Sequence, residues 1–553
     1  MYTINTIIET KKLRIFDAET GIIPQKNREL FNSLRLKKMR TQESKGSQMN
    51  ILGGKKKKSA VSELIGIVSV LFMAFLFSIQ CSNNIWHRGN IKTDSSVFYY
   101  VARVILNGGM PYKDTFDHKG PLLYVLNVIG LRIASMKGIW VVELLFLAGT
   151  FYLFYRTARL LTGPLFSVLA VLSAGSLLYV YFDGGNYTEE YALLFIAGAQ
   201  FIFTDYFLND KITNLRLILC GACFGAVLML RPNMVAIWVV MCIGVLFRCI
   251  REKTFGSLVR FLLFFLAGVI LACAPLCFWL YKNGAFDSFI DCYLTFNTLY
   301  SSATRGTMQT AYRVRTFIHF FNDNVVLVTA CAAVLVCVRF KRLNDILQVI
   351  FFFITLLLLS ISAQSYSHYG IVLVPALIYP IAGIGSLIPK GQNNNALAIF
   401  VALFFLPTLI LPNWLKMVDD AFYYYATNEY DHFYRCDIEA AKIVNTYSDP
   451  EDKILVCGNW DSLYNYTNRF SVSYYSYQNM PCSLDPARME QFMKEVEEAS
   501  PKVIALMDGC FVEKRIQEYM SANGYEEVFH GKYDDFSTTV YSKTSSTTQN
   551  NTP

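Results

Sequence analysis

The side chains best suited to chemistry gather in one stretch, NIKTDSSVFYYVARVILNGGMPYKDTFDHKGPLLYVLN, residues 90–127. Asp94 stands at the head of a run whose apolar residues recur at helical spacing: Val97, Tyr100, Val101, Val104 and Ile105. Asn107-Gly108-Gly109 should end that helix, because glycine accepts the left-handed backbone of a C-terminal cap. The segment FDHKGP then sets Asp117, His118 and Lys119 side by side, and Pro121 suits the first turn of a second helix. A carboxylate heading one amphipathic helix and a cation heading the next form the layout of an active site. The acid can take a proton from an attacking hydroxyl. The lysine can stabilise an anionic leaving group.

Two further places carry candidate groups. FDGGNYTEEYALLF (182–195) puts Glu189 and Glu190 at a helix start, where carboxylates also simply complement the helix dipole. AQSYSHYGIVLVPAL (363–377) puts His368 and Tyr369 at the end of an apolar segment, where aromatic residues also belong to an interfacial belt. Cysteine offers less. Cys220 and Cys223 form a C-x-x-C inside an apolar helix and read as small packing residues. Cys436, Cys457, Cys482 and Cys510 allow three disulfide pairings in an oxidising compartment. No zinc-type spacing or phosphate-binding glycine loop is present, so no cofactor is expected, and a metal ion is not signalled.

These groups must be held by membrane helices. The 553 residues are 54% hydrophobic and only 17% charged, against roughly 25% charged in soluble domains. Disorder, a disulfide scaffold and a soluble nucleic-acid binder are excluded. Segments of about 20 apolar residues occur near 61–80, 138–156, 164–181, 188–208, 215–231, 234–250, 258–281, 319–339, 345–362, 370–388 and 396–412. The stretch 120–138 is a twelfth possibility, short and interrupted by Arg132. Counting it as a juxtamembrane or re-entrant helix leaves eleven spans and keeps GGKKKKS, RTAR, RCIREK and RFKR on one, cytoplasmic, side.

The net charge of +8 conceals a division: residues 413–553 hold 12 Lys+Arg against 22 Asp+Glu, leaving 38 against 20 in residues 1–412. We therefore expect a cytoplasmic basic segment over 1–60, in which Met49 is an alternative start, a membrane domain over 61–412, an extracytoplasmic α/β domain over 413–543 and a disordered tail over 544–553. In the third, EDKILVCG, SPKVIALMDG and residues 537–543 read as strands, and DPARMEQFMKEVEEA and 511–522 as helices. Outer loops near 81–119 and 282–318 carry cations against the inside rule, namely Arg88, Lys92, Arg103, Lys113, Lys119, Arg305, Arg313 and Arg315. Most should snorkel to headgroups; Lys119, by its neighbours, should bind an anion.

TDSSVFYYVARVILNGGMPYKDTFDHKGPLLY resembles the first extracytoplasmic loop of GT-C superfamily glycosyltransferases, close to bacterial relatives of protein O-mannosyltransferases and lipid A aminoarabinose transferases, that is, glycosyltransferase family 39-like proteins. The resemblance implies a polytopic α-helical fold of about eleven spans in the cell inner (plasma) membrane. It also implies sugar transfer, with inversion, from a polyprenyl-phosphate donor to a hydroxyl of an envelope glycan, lipid or protein. Asp94 matches the family's catalytic base. Lys119 and His118, with His368 and Tyr369, match segments near the donor phosphate; Asp117, Glu189 and Glu190 are further candidates. Relatives often have two prolines where this chain has Gly120-Pro121. A carrier or flippase of lipid-linked sugars and a non-catalytic assembly protein are the alternatives. Carriers usually show repeats and ionisable groups near the midplane, whereas here Glu143 is the main acid within a span. A reporter fused after Arg159 should read out as cytoplasmic; an external signal there would overturn the eleven-span topology.

Overall fold

The computed structural model describes residues 60–86, 93–303, 309–323, 342–361, 366–386, 411–427, 432–507, 509–533 and 536–543. Contacts divide the chain into Met1–Ile65, of which only the opening turn of the first helix is described, and Gly66–Pro553. The helices are α1 (Ala60–Ser78), α2 (Thr93–Leu106), α3 (Pro121–Arg159), α4 (Pro164–Tyr181), α5 (Thr188–Asn209), α6 (Asn214–Leu228), α7 (Ala236–Arg251) and α8 (Phe255–Lys282). Among the described residues α1, α3, α4, α5, α8 and a later helix, Leu343–Ser360, are long and apolar enough to cross a membrane. The expected spans near 319–339 and 396–412 lie largely outside the described residues.

Sequence dictates where these helices stop and how closely they pack. Pro121 and Pro164 open α3 and α4 behind a glycine, and the Thr213 hydroxyl accepts from the Arg216 amide to cap α6. Helices α6 and α8 touch through glycines: a Cβ on Gly221 would run into the Phe265 carbonyl, and one on Gly268 into that of Ile218. Apolar residues of α8 such as Leu262, Leu263, Ile270, Leu271 and Phe278 face outward, as a lipid-covered helix requires. Buried amides cross-link the interior, with Gln200 donating to Gln348 (3.1 Å) and to the Pro375 carbonyl (2.8 Å).

Helix α3 is broken. Ala134 and Ser135 leave helical geometry, Ser135 at φ 52°, and the chain doubles back so that Gly130 meets Gly138 and Ile139. In a straight helix residues eight apart stand about 12 Å from each other. Residues 121–133 are thus a short helix of their own. The second long loop is also largely helical: α9 (Phe286–Ile290), a π-turn at Asp291–Thr295, α10 (Phe296–Ala303) and α11 (Gln309–Asp323). After α12 (Leu343–Ser360) comes a 3₁₀ turn, Ser367–Leu373, which runs into α13 (Val374–Gly385); α14 (Leu411–Thr427) follows.

The C-terminal region is a mixed α/β layer in which α15 (His432–Tyr447), β1 (Leu455–Cys457), α16 (Ser462–Thr467), α17 (Asn479–Leu484), α18 (Pro486–Ala499), β2 (Val503–Met507), α19 (Glu513–Ala522), β3 (Tyr525–Tyr533) and β4 (Phe536–Lys543) succeed one another. The sheet order is β1-β2-β4-β3, with β1 parallel to β2 and the other pairs antiparallel. Strands β1 and β2 are wholly buried, matching their uninterrupted apolar runs. The sequence reading finds β1, β2, β4, α18 and α19; it misses α15, α16, α17 and β3. The last, YEEVFHGKY, has too many polar residues to signal a strand and is recruited by β4. The four cysteines of this region are free thiols.

This layer sits directly on α2. The buried Arg103 guanidinium donates to the Tyr464 carbonyl (2.8 Å) and the Asn468 side chain (2.7 Å), and lies 4.7 Å from the Phe470 ring centroid. Arg103 is therefore a strut between two regions, not a snorkelling cation. Asp437, on α15, accepts from the Ser462 and Thr538 hydroxyls, and burial pushes its carboxyl up to about 6 from 3.8. A carboxyl raised on folding stabilises below its unfolded value and loses that contribution as pH rises through the folded one, here on the order of 3 kcal/mol between pH 4 and 7. Asp437→Asn should raise the thermal midpoint of the detergent-solubilised protein at pH 8, with the gain vanishing near pH 4.

Candidate active site

The loop after α2 is built to present Lys119. Gly108 takes φ 87° to leave the helix. Tyr112 adopts a left-handed backbone (φ 65°) in a tight turn closed by its amide to the Thr115 carbonyl (3.0 Å). Its phenol donates to the Lys119 carbonyl at 2.7 Å. Strain of this kind persists only where surroundings fix it, and Tyr112 is buried against Tyr124 and Phe289.

Two backbone bonds then tie this segment to the end of α6. The Gly120 amide donates to the Leu230 carbonyl and the Leu122 amide to that of Met229, each at 3.1 Å. Position 120 must be glycine for this approach, since a Cβ would collide with the Met229 carbonyl. The registration brings Lys119 to the wall of a cavity of about 240 Å³ that Arg231 also lines, with His118, Asn233, Asn297, Tyr300 and Tyr369. The guanidinium of Arg231 pairs with Glu189 and stacks 4.0 Å from the centre of the Tyr369 ring.

A larger cleft of about 710 Å³ adjoins it, within the range of small-molecule sites. Asp94, Asp117, His118, Lys119, His368 and Tyr369 all line this cleft. Its far wall belongs to the C-terminal layer: Asn459, Trp460, Tyr477, Asn479, Met480 and Ser483. Asp94 lies in the first turn of α2, and its charge reaches His368 and Tyr477. The His368 ring is stacked on Tyr187, centroids 4.4 Å apart and planes 9° from parallel, with Tyr366 on a second side.

Asp117 and His118 serve differently from Lys119. Asp117 is fully enclosed, accepting from Tyr124 (2.7 Å), Tyr477 (3.0 Å) and the His118 amide (2.7 Å). Burial raises its carboxyl above the usual range, against the pull of Lys119. It anchors the loop to the C-terminal layer. Asn297 donates its amide to the His118 and Tyr293 carbonyls (2.7 and 2.8 Å), so its oxygen must accept from His118 Nδ1 at 2.8 Å. Burial, then Lys119, holds the imidazole well below its ordinary pKa. His118 is hence neutral at pH 7, with Nε2 as an acceptor, and brings no positive charge.

The glutamates part company. Glu189 backs Arg231 and accepts from the Thr188 hydroxyl at 2.7 Å. Glu190 points instead into the helix bundle towards Glu143 and Cys81. Neither lines the cleft. Arg231 escaped the sequence reading because LRPNM reads as a span end; its signal was a lone arginine at the end of an apolar helix on the side bare of other clusters. Tyr187, Asn297, Tyr300 and the C-terminal wall carry no such signal. Of the basic loop residues, Lys113 donates to the Asn283 carbonyl (3.2 Å) and Arg313 to that of Ile361 (2.9 Å), while Arg88, Lys92 and Arg305 fall outside the described residues.

A helical membrane bundle with a helical first loop, this cleft and an α/β layer over it define the GT-C fold. The same architecture occurs in ArnT from Cupriavidus metallidurans bound to undecaprenyl phosphate, at a TM-score of 0.55 and 14% identity, covering 86% of this chain and 97% of that one. Its apo state gives 0.52 and 11%, covering 87% and 98%. The chain belongs to the competence-induced Ccs4 N-terminal domain family, whose model matches residues 54–389. No curated protein sequence matches it.

Gly120→Ala should lower the thermal midpoint by several degrees by forcing Lys119 and Arg231 apart. Gly256→Ala, on open surface in α8, should leave it unchanged. Equal midpoints for both variants would show that the close approach at Gly120 is not needed.

Proposed function

We propose that the protein transfers a sugar from a polyprenyl-phosphate carrier to an acceptor hydroxyl at the outer face of the membrane, with inversion at the anomeric carbon. One observation carries this reading: a single cleft holds a carboxylate, Asp94, and opens beside a cavity walled by two cations, Lys119 and Arg231. The likeness to a structure bound to undecaprenyl phosphate supports a lipid-phosphate donor. The smaller cavity would take the phosphate, with the prenyl chain running out between helices. Lys119 and Arg231 would stabilise the negative charge that develops as the sugar–phosphate bond breaks. Glu189 holds Arg231 in place and cancels one of the two positive charges, so the site binds phosphate without holding it as tightly as two free cations would.

Asp94 would accept the proton of the acceptor hydroxyl as its oxygen attacks the anomeric carbon from the face opposite the phosphate. Asp117 and Asp183 also line the cleft, and Asp117 is held by Tyr124, Tyr477 and the His118 amide. With Asp94 acting as base and no second carboxylate as nucleophile the transfer inverts, because retention through a covalent intermediate needs a nucleophile as well. Asn459, Trp460 and Tyr477 would receive the acceptor, which makes the C-terminal layer an extracytoplasmic lid. The aromatic stack on His368 keeps the imidazole fixed beside Asp94.

Purified protein with a labelled polyprenyl-phosphate sugar and envelope acceptors provides the test. Asp94→Asn should lower turnover by about 10²–10⁴ while leaving donor binding intact. Lys119→Ala and Arg231→Ala should each cost about 10²–10³ in turnover and weaken binding of the carrier phosphate. Normal transfer by Asp94→Asn removes that residue from the role. Movement of the labelled lipid across the bilayer without transfer would mark a carrier instead.

A further inference from the structure

Beneath the cleft lies a second cluster that sugar transfer does not use. Cys81 follows α1, Glu143 sits on the second arm of α3 and Glu190 in the first turn of α5; their exposures are 0%, 0% and 1%. The thiol sulfur and one oxygen from each carboxylate all lie within 4.8 Å of one another. Among the described residues no lysine, arginine or histidine pairs with either glutamate. The Asn83 side chain, the Asn186 amide and the Cys81 thiol lie near the Glu143 carboxyl, but neither of its oxygens makes a well-formed hydrogen bond, nor does Oε1 of Glu190; Oε2 of Glu190 accepts from the Asn186 amide at 2.7 Å.

The backbone beside the cluster is shaped to leave room for it. Gly184, Gly185 and Asn186 are successive left-handed residues, at φ 82°, 79° and 59°. A Cβ on Gly185 would strike Glu143 Oε1 and come within 3.1 Å of Glu190 Oε2. The Ser82 amide donates to the Gly184 carbonyl at 2.7 Å, fastening the Cys81 turn to the same loop. Two carboxylates facing each other away from water, with three of their four oxygens lacking a well-formed hydrogen bond, are tolerated only with a cation or shared protons between them.

We propose that Cys81, Glu143 and Glu190 bind a divalent transition-metal ion, with zinc the best match. A thiolate with two carboxylates suits zinc, and excludes magnesium and calcium, which take oxygen ligands alone. Tetrahedral zinc spaces its ligand atoms roughly 3.5 Å apart, which small side-chain rotations reach from the observed spacing. The thiol and any carboxyl protons leave as the ion binds. The ion ties the end of α1, α3 and the start of α5 together, and so fixes the loop that leads to Glu189 and, through it, Arg231.

The test is metal analysis of the full-length protein purified in detergent without added chelator. We expect about one zinc per chain, lost in the Cys81→Ala/Glu143→Gln double variant and retained in Asp94→Asn. Cobalt exchanged into the wild-type protein should give a thiolate-to-metal charge-transfer band that Cys81→Ser abolishes. This spectrum decides the matter even if the double variant does not fold. Another transition metal held one to one with the same cobalt band supports the site. Wild-type protein that holds no ion and gives no thiolate band overturns it, the trio then being a proton-sharing cluster. Metal lost with Asp94→Asn but kept without Cys81 and Glu143 overturns it also, since the ion would belong to the cleft.

Discussion

Everything in the site depends on two backbone hydrogen bonds, from Gly120 to Leu230 and from Leu122 to Met229. They join segments 110 residues apart and force Lys119 and Arg231 against one cavity. Two cations so placed repel, and partial burial strengthens that repulsion. The fold relieves it with Glu189 and with the electron-rich face of Tyr369. What remains is one net positive charge with open space in front of it. An anionic group is the natural complement, and the tyrosine and asparagine side chains around the cavity can orient it.

The C-terminal layer is an integral part of this arrangement. Helix α2 is covered by bonds from Ser471 to the Tyr100 phenol and from Asp461 to Ser96, and Arg103 is buried in the contact. Losing one hydrogen bond to such a buried charge typically costs about 1.5–3 kcal/mol. Tyr474 and Tyr477 reach from the layer to the Tyr112 carbonyl and to Asp117, at 2.6 and 3.0 Å. The loop that presents Lys119 is thereby clamped on both sides. Asp94 rides on the clamped helix, so its distance from the cations is set by the whole assembly.

Much of the membrane bundle was legible because hydrophobicity is a local property. Residues 164–181 read as a span and form α4 over the same residues, and Pro121 opens a helix where proline suits a first turn. The first loop was equally clear, since helical spacing, a glycine stop and a proline start all fall within forty residues. The placement of the basic clusters already set 120–138 apart from the span that follows it; the exact break, at Ala134 and Ser135, was not legible, because it follows from packing Gly130 against Gly138. Strand β3 was missed because its strand character comes from the β4 edge.

By itself the sequence determined the chemistry on offer: Asp94, His118, Lys119 and His368 are named by type, spacing and position at the ends of apolar segments. Tertiary structure decided their roles, because burial and partners act through space. It made His118 neutral through burial beside Lys119 and turned Asp117 into an anchor. It recruited Arg231 and divided two adjacent glutamates. Glu189 and Glu190 stand about 100° apart around their helix, so one backs the cleft while the other faces Glu143 and Cys81. No local pattern records which face meets a cation and which meets another acid.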